Sequence, residues 1–214
     1  MSDLKRLGKG MSKYTAVLLC FAFFLLSVCS CAYNGASGEG GEKIDFLKID
    51  LDVIEKYIDM GQYKGLEVSV TEGIAKDEIL WATIEKNCTV KEYPIALVYY
   101  YQGQLEAEYE YYAEQAGMSY EDMCAELGVD SGSILKEAKA LTKSDLVYSA
   151  IVKIEGISVT DTEKEKLFDK YVENYVSLYG YSEEYVKEKM TDEIYRSMLY
   201  DKTTEFLLKN NEVK

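Results

Sequence analysis

The scarcity of proline is the feature that most constrains what this chain can fold into. Pro94 is the only proline among 214 residues, so almost no position is barred from the interior of a helix. Charged residues make up 29% of the chain, and the helix-favouring residues Glu, Lys, Leu and Ala are frequent. Apolar residues make up 48%, which suffices for a packed core. We therefore predict an ordered protein of the mainly all-α class.

Apolar residues recur at three- and four-residue spacing, which predicts a series of amphipathic helices. Glycines that end helices, and Ser or Thr residues that cap them, set the expected boundaries. The expected helices are residues 49–60, ended by Gly61; 75–86, with Trp81; a long helix from Pro94 to Gly117; 119–127; 131–155, ended by Gly156; 161–179; and 191 to about 210. Residues 66–70 alternate in hydropathy and predict one short strand.

Two stretches of the chain echo each other, YYAEQAGMSYEDMCAEL and NYVSLYGYSEEYVKEKM. Each contains a helix end, a glycine, one spacer residue, a serine and a short acidic segment. Ser119 with Asp122 fits a capping box at the first of these sites, and Thr160 with Glu163 fits one at the start of a later helix. The chain thus predicts two paired-helix arms, each built as long helix, short helix, long helix.

The amino-terminal segment has the layout of a signal peptide. An apolar run, TAVLLCFAFFLLSV at residues 15–28, follows Lys5, Arg6, Lys9 and Lys13. This run is shorter than the ~20 residues that cross a bilayer comfortably. Both Met1 and Met11 are possible starts, because the chain from Met11 keeps Lys13 and the whole run. We expect residues 1–30 to be a signal peptide.

The residues that follow, Leu-Ser-Val-Cys-Ser-Cys-Ala at positions 26–32, resemble the lipobox of bacterial lipoproteins. In that family cleavage occurs just before a cysteine that becomes lipidated. A small residue normally precedes this cysteine, so Ser30 favours Cys31, and Cys29, which follows Val28, is the alternative. The resemblance implies a lipid anchor in the cell membrane, with residues 31–43 as a flexible tether and the domain on the extracytoplasmic face.

The net charge of −14 argues against nucleic acid as a partner, because binding to phosphates needs cations. This acidity has two interpretations: it keeps the domain soluble and away from anionic surfaces, or it attracts basic unfolded chains. Glu106, Glu108, Glu110 and Glu114, like Asp161, Glu163 and Glu165, can be a metal or acid–base site, but solvated helix faces and caps account for them better.

Most zinc sites and nucleophilic dyads are excluded by the absence of histidine and of any CxxC pair. We expect no metal and no cofactor. If Cys31 is acylated, Cys88 and Cys124 remain in the exported domain. They form either a disulfide or two small buried thiols, and we favour the thiols.

Residues 93–214 resemble the carboxy-terminal domain of trigger factor, a ribosome-associated bacterial chaperone. The resemblance lies in the order of helices and in the segments AEQAGMSYEDMCAEL, VKIEGISVTDTEKEKLFDKYVE, YGYSEEYVKEKM and TEFLLKNNEVK. It implies elongated multi-helix arms of the kind seen in trigger factor and SurA-like chaperones. In that family the arms hold unfolded clients. Unfolded or newly exported polypeptides are therefore the expected partners.

The chain departs from trigger factor in two places. MGQYKGLEVSV resembles the segment that leads into the family's peptidyl-prolyl isomerase domain, but the stretch from Val70 to Pro94 is too short to hold that domain. We therefore expect no enzyme, and residues 44–92 should form a short helical and extended part. The amino-terminal ribosome-binding domain is also replaced, so no ribosome partner is expected.

The helix after Pro94 carries apolar residues on more than one face. The stripe expected to face the core consists of Ile95, Val98, Tyr99, Gln102, Leu105, Tyr109, Tyr112, Ala113 and Ala116. Tyr100, Ala107 and Tyr111 lie on another face, and one core cannot easily bury both. Either a second helix covers these three residues, or they are exposed and bind clients.

The sequence thus favours a membrane-tethered, ATP-independent holdase. Two alternatives stay open at this point: a foldase lipoprotein of the peptidyl-prolyl isomerase type, and a noncatalytic adaptor that docks one partner in the envelope.

Overall fold

The computed structural model describes residues 51–214. Helices take up 72% of these residues, and the strands are only two residues long, which confirms the expected all-α class. The expected signal peptide at residues 1–30, the tether at 31–43, Cys29, Cys31 and the choice between Met1 and Met11 lie outside the described residues.

The described residues form two compact units. Val159–Met198 make up the smaller unit, and residues 51–158 with Leu199–Lys214 make up the larger one. The division that we expected between residues 44–92 and 93–214 stays a prediction.

The larger unit contains most of the secondary structure. Its elements are α1 (Leu51–Tyr57), β1 (Ile58–Asp59), β2 (Glu67–Val68), α2 (Lys76–Asn87), β3 (Thr89–Val90), α3 (Ile95–Ala116), α4 (Tyr120–Leu127), α5 (Ser131–Glu155) and β4 (Glu212–Val213). Helices α1, α2 and α3 all contact α5. Every residue from 145 to 152 of α5 is buried, so this stretch is enclosed on all sides. Helix α5 is therefore the central helix of this unit.

An aromatic cluster joins α2 and α5 to the last helix, α8 (Thr191–Lys209). The ring of Trp81 stacks on that of Tyr200, with centroids 5.5 Å apart, and Tyr148 lies 5.8 Å from Tyr200. The indole Nε1 of Trp81 donates a hydrogen bond to Thr204 Oγ1 at 3.0 Å. The polar edge of the buried indole is thus satisfied while its faces pack, which stabilises the junction of three helices.

Two short strand pairs hold the ends of the larger unit together. Strand β1 pairs antiparallel with β3, and β2 pairs parallel with β4, with Val68 opposite Val213. The expected strand at residues 66–70 is confirmed in β2. The expected helix at 49–60 is wrong at its carboxy-terminal end: α1 stops at Tyr57, whose carbonyl accepts from the amide of Lys91 at 2.8 Å. Residues 58 and 59 then form a strand, because β3 offers them backbone partners.

The smaller unit consists of α6 (Asp161–Tyr179), α7 (Glu183–Lys189) and the first part of α8. Its core is a cluster of buried side chains: Val172, Tyr175, Val186, Met190, Ile194 and Met198. The expected capping box starts α6: Thr160 N donates to Glu163 Oε2 at 2.8 Å, and Glu163 N donates to Thr160 Oγ1 at 3.3 Å.

The echo between the two stretches of sequence is confirmed as a repeated local structure. Gly117 and Gly180 end α3 and α6 in the left-handed conformation, with φ of 67° and 69°. After one spacer residue, Ser119 and Ser182 cap the short helices α4 and α7. The expected box at Ser119 is only half formed, since the carboxylate of Asp122 accepts from the Ser119 hydroxyl and not from its backbone. Aspartate is one methylene shorter than the glutamate that usually closes this box.

Substitution of Gly61 by alanine is expected to destabilise the larger unit. An added Cβ would lie 2.1 Å from the carbonyl oxygen of Asn87, so the backbone would have to move, at a cost of about 1 to 3 kcal/mol. Gly103→Ala is the matched control, because no atom lies within 4 Å of its added Cβ, and it should raise stability by about 1 kcal/mol. Urea unfolding measures both. A Gly61→Ala midpoint equal to that of the parent would contradict the close approach.

Candidate functional site

Helix α3 carries all three of the residues that we expected to bind clients. It begins after Pro94, whose carbonyl accepts from the amides of Leu97 and Val98, and it ends at Gly117. Proline suits this position because it has no backbone N–H to leave unpaired. These two residues therefore fix the length of the helix.

One side of α3 packs on α5. The buried residues of α3 are Leu97, Val98, Tyr101, Leu105 and Ala113. Tyr101 Oη donates a hydrogen bond to Asp145 Oδ2 at 3.0 Å, and both residues are buried. This bond satisfies a carboxylate inside the unit, where an unpaired one would be costly. It also fixes which face of α3 points inward.

The apolar stripe expected to face the core is wrong at Ala116, which is exposed at the end of the helix. It is also wrong at Ile95, Tyr99 and Tyr112. These side chains are 69%, 67% and 40% exposed. The first half of α3, IALVYYYQ, is apolar or aromatic on every face, so its pattern does not determine the helix phase. Contact with α5 determines it instead, centred on Leu97, Tyr101 and Leu105.

The outward side of α3 is a continuous row of exposed residues, which we call the outer strip. It consists of Ala96, Tyr100, Gly103, Ala107, Glu110, Tyr111 and Glu114. Tyr100 is 40% exposed and Tyr111 is 55% exposed. The structure thus places Tyr100, Ala107 and Tyr111 together on one exposed face, uncovered by a second helix of the unit. Their role in binding stays a prediction.

The rings on α3 also contact each other. Tyr100 meets Tyr101 edge to face, with centroids 5.3 Å apart, and Tyr111 lies 5.9 Å from Tyr112. Tyr112 Oη donates to Glu108 Oε1 at 2.9 Å. These contacts hold the aromatic rings in defined positions, and Tyr100, Tyr111 and Tyr112 remain partly exposed.

The stretch of sequence that includes α3 carries only negative charges. There is no Lys or Arg between Lys91 and Lys136, whereas the acidic residues there are Glu92, Glu106, Glu108, Glu110, Glu114, Glu121, Asp122, Glu126 and Asp130. Among residues 51–214, neither Glu110 nor Glu114 forms an ion pair. No cation of the described residues therefore pairs with these two carboxylates of the outer strip.

Two partly buried carboxylates near the contact between α3 and α5 have raised pKa values, so their charged forms are disfavoured. Burial raises the pKa of Glu108 above its usual value, and the hydrogen bond from Tyr112 offsets part of this. Burial also raises the pKa of Glu137 on α5, and the negative charge of Glu108 raises it further. The α3–α5 contact is thus less favourable when both residues are ionised.

The acidic clusters in the sequence do not assemble into a metal site. In the part of the chain that the structure describes, no group of three or more Cys, Asp or Glu residues could hold a metal ion. Glu163 caps α6, and Asp161 pairs with Lys164 at 3.4 Å. Cys88 and Cys124 are both buried and are not joined by a disulfide, which confirms the interpretation as two thiols.

Sequence reasoning missed a row of tyrosines in the smaller unit. The rings of Tyr175, Tyr179, Tyr181 and Tyr185 follow one another, with centroids 5.5, 6.0 and 5.1 Å apart. The row starts in the core, where Tyr175 is 7% exposed, and ends at Tyr185, which is 37% exposed. The spacing of tyrosines in NYVSLYGYSEEY was the available signal. Most of these rings serve packing, so we do not place the site here.

A shallow cavity of about 420 Å³ also lies in the smaller unit, lined by Asp161, Lys164, Glu165, Phe168, Asp169 and Tyr195. Its aromatic wall is already in contact with a cation of the chain itself. Lys164 Nζ lies 4.9 Å from the centre of the Tyr195 ring. The Tyr195 ring is therefore less available to a ligand than the exposed tyrosines of the outer strip.

Comparisons with protein-family models, curated proteins and solved structures find no match to this chain. The resemblance to trigger factor stays a prediction. Within residues 51–214, none of the helices combines the length and the apolar character that crossing a membrane requires.

Replacement of Glu137 by Gln should stabilise the protein at neutral pH. The pKa of Glu137 is raised in the folded state, mainly by burial. This residue therefore destabilises the fold by an amount that is absent below its unfolded pKa, grows as pH rises above that value, and is complete above the folded pKa. The variant should unfold at a higher urea concentration at about pH 7, and this gain should vanish at about pH 3, which is below the ordinary Glu pKa of about 4.3. Glu126→Gln, at an exposed position of α4, is the control and should change stability by less than about 0.5 kcal/mol. An equal gain at both pH values would contradict the assignment.

Proposed function

We propose that this protein is a membrane-tethered extracytoplasmic chaperone, an ATP-independent holdase that shields unfolded exported proteins. The outer strip of α3 is the observation that carries the proposal. It presents Tyr100, Ala107 and Tyr111 on one exposed face of a long helix whose opposite face is anchored on α5. Tyrosine offers apolar area and a hydroxyl group at a low cost in rotamer entropy, which suits clients of varied sequence.

The architecture supports a binding role. Helix α3 has 22 residues and therefore extends for about 33 Å at 1.5 Å per residue. A client segment of about ten extended residues can lie along such a surface. The exposed, partly apolar strip favours several weak contacts. Weak contacts suit a holdase, because it must release its clients without ATP.

Tethering at the membrane would place this surface where exported chains emerge. The proposed anchor is Cys31, with Cys29 as the alternative, on the extracytoplasmic face of the cell membrane. The adaptor and isomerase alternatives predict different behaviour: an adaptor protects one partner, and an isomerase accelerates proline-limited refolding. A holdase suppresses aggregation of unrelated clients and leaves that rate unchanged.

Replacement of Cys31 by Ala should abolish lipid attachment. Cells are labelled with a radioactive fatty acid, and the label on the immunoprecipitated protein is compared between parent, Cys31→Ala and Cys29→Ala. The parent and Cys29→Ala should carry label, and Cys31→Ala should not. Undiminished label on Cys31→Ala would contradict the assignment of the anchor to Cys31 and favour Cys29.

Replacement of both Tyr100 and Tyr111 by Ser should weaken aggregation suppression and leave stability nearly unchanged. Exposed substitutions usually change the free energy of unfolding by less than about 0.5 kcal/mol, whereas truncation of a buried aromatic residue costs about 3 to 5 kcal/mol. A few aromatic residues tend to carry most of the binding energy at an interface. Light scattering of several unfolded clients and urea unfolding are measured on the same samples.

The matched control is the double change of Tyr99 and Tyr185 to Ser. Both rings are exposed, at 67% and 37%, and neither belongs to the outer strip. This variant should protect clients like the parent. If the Tyr100 and Tyr111 variant is stable and protects every client fully, the proposed client surface is wrong.

A further inference from the structure

We propose that the outer strip selects client segments that carry Lys or Arg among apolar residues, and that such a segment lies over Gly103. This inference rests on the proposed function and specifies which unfolded chains the strip accepts. Three features of α3 support it: its unpaired charge, the open position at Gly103 and the spacing of its tyrosines.

Within residues 51–214, the two carboxylates of the strip form no ion pair, unlike several acidic residues elsewhere. In the smaller unit, Asp169 and Glu183 both pair with Lys187, at 3.5 and 2.7 Å. On α3, Glu110 and Glu114 are exposed and separated by four residues, a spacing at which like charges repel each other. A cationic group brought by a partner would remove this repulsion.

Gly103 is open to a partner and is not required by the fold. It lies inside α3, where glycine is less favourable than any residue except proline. An added Cβ would meet no atom within 4 Å, so no neighbouring element needs the space. A missing side chain allows another backbone to approach closely, and Gly103 lies between Tyr100 and Ala107 on the exposed row.

The tyrosines of the strip fit an extended segment with positive charge. Tyr100 and Tyr111 are separated by about 16 Å along the helix axis, which is about five residues of extended chain. Tyrosine rings attract Lys and Arg through their faces. The chain itself uses this contact, with Lys56 Nζ 4.9 Å from the centre of the Tyr57 ring. A second copy of the strip would bring like charges together, so a basic segment is the better occupant.

The test compares three labelled peptides that share one Leu-rich sequence and carry Lys, Gln or Glu at the same alternate positions. Affinity for the full chain, held in nanodiscs of zwitterionic lipid, is measured by fluorescence anisotropy at low and high salt. The Lys peptide should bind tightest, the Glu peptide weakest, and salt should weaken only the Lys peptide. Equal affinity for the three peptides would overturn the charge selection and leave the proposed function standing. If none of them binds, the proposed client surface fails as well.

Three variants, one of them a control, test whether the outer strip is responsible for the charge selection. Glu110→Gln with Glu114→Gln should weaken the Lys peptide about fivefold and leave the Gln peptide unchanged, since an exposed ion pair contributes less than a factor of ten. Glu184→Gln with Glu188→Gln removes the same charge at the same spacing on α7 and should change neither peptide. Gly103→Gln, a good helix former, should weaken every peptide that binds the parent. An effect of the α7 pair equal to that of the α3 pair would overturn the assignment to the strip, as would full binding by the Gly103 variant.

Discussion

The enclosure of α5 is the constraint on which the larger unit depends. Because residues 145–152 are buried on every side, each helix that contacts this stretch can give only one face to it. For α3 that face is fixed by the hydrogen bond between Tyr101 and Asp145 and by the burial of Leu97 and Leu105. The opposite face must then point outward, although it carries two tyrosines. The outer strip is thus a direct consequence of how the core is built.

The helix boundaries that local chemistry sets were predictable from sequence. Thr160 and Glu163 form the expected box, and Gly117 and Gly180 adopt the left-handed conformation that ends a helix. Long-range partners set the features that were missed. The strand at Ile58 and Asp59 exists because residues 89 and 90 pair with it, and β4 pairs with a strand over 140 positions earlier in the chain. No local pattern carries that information.

The candidate site was predictable in its residues but not in its surroundings. Tyr100, Ala107 and Tyr111 share a face because their spacing is helical, and this follows from sequence alone. The phase of the helix did not follow, since Tyr99, Tyr100 and Tyr101 are consecutive and chemically alike. Only Asp145 distinguishes Tyr101 from its neighbours. The open position at Gly103 likewise emerged only once the neighbouring elements were placed.

The central claim is that unfolded clients contact the outer strip of α3, and site-specific photocrosslinking tests it most directly. A photoreactive phenylalanine analogue is introduced at Ala107, in the strip, or at Ala140, an exposed alanine on α5 that lies outside it. Each protein is irradiated with an unfolded client and with the same client folded. We predict strong crosslinks from position 107 to the unfolded client, few from position 140 and few to the folded client. Equal crosslinking from the two positions, or crosslinking that does not depend on client unfolding, would contradict the account.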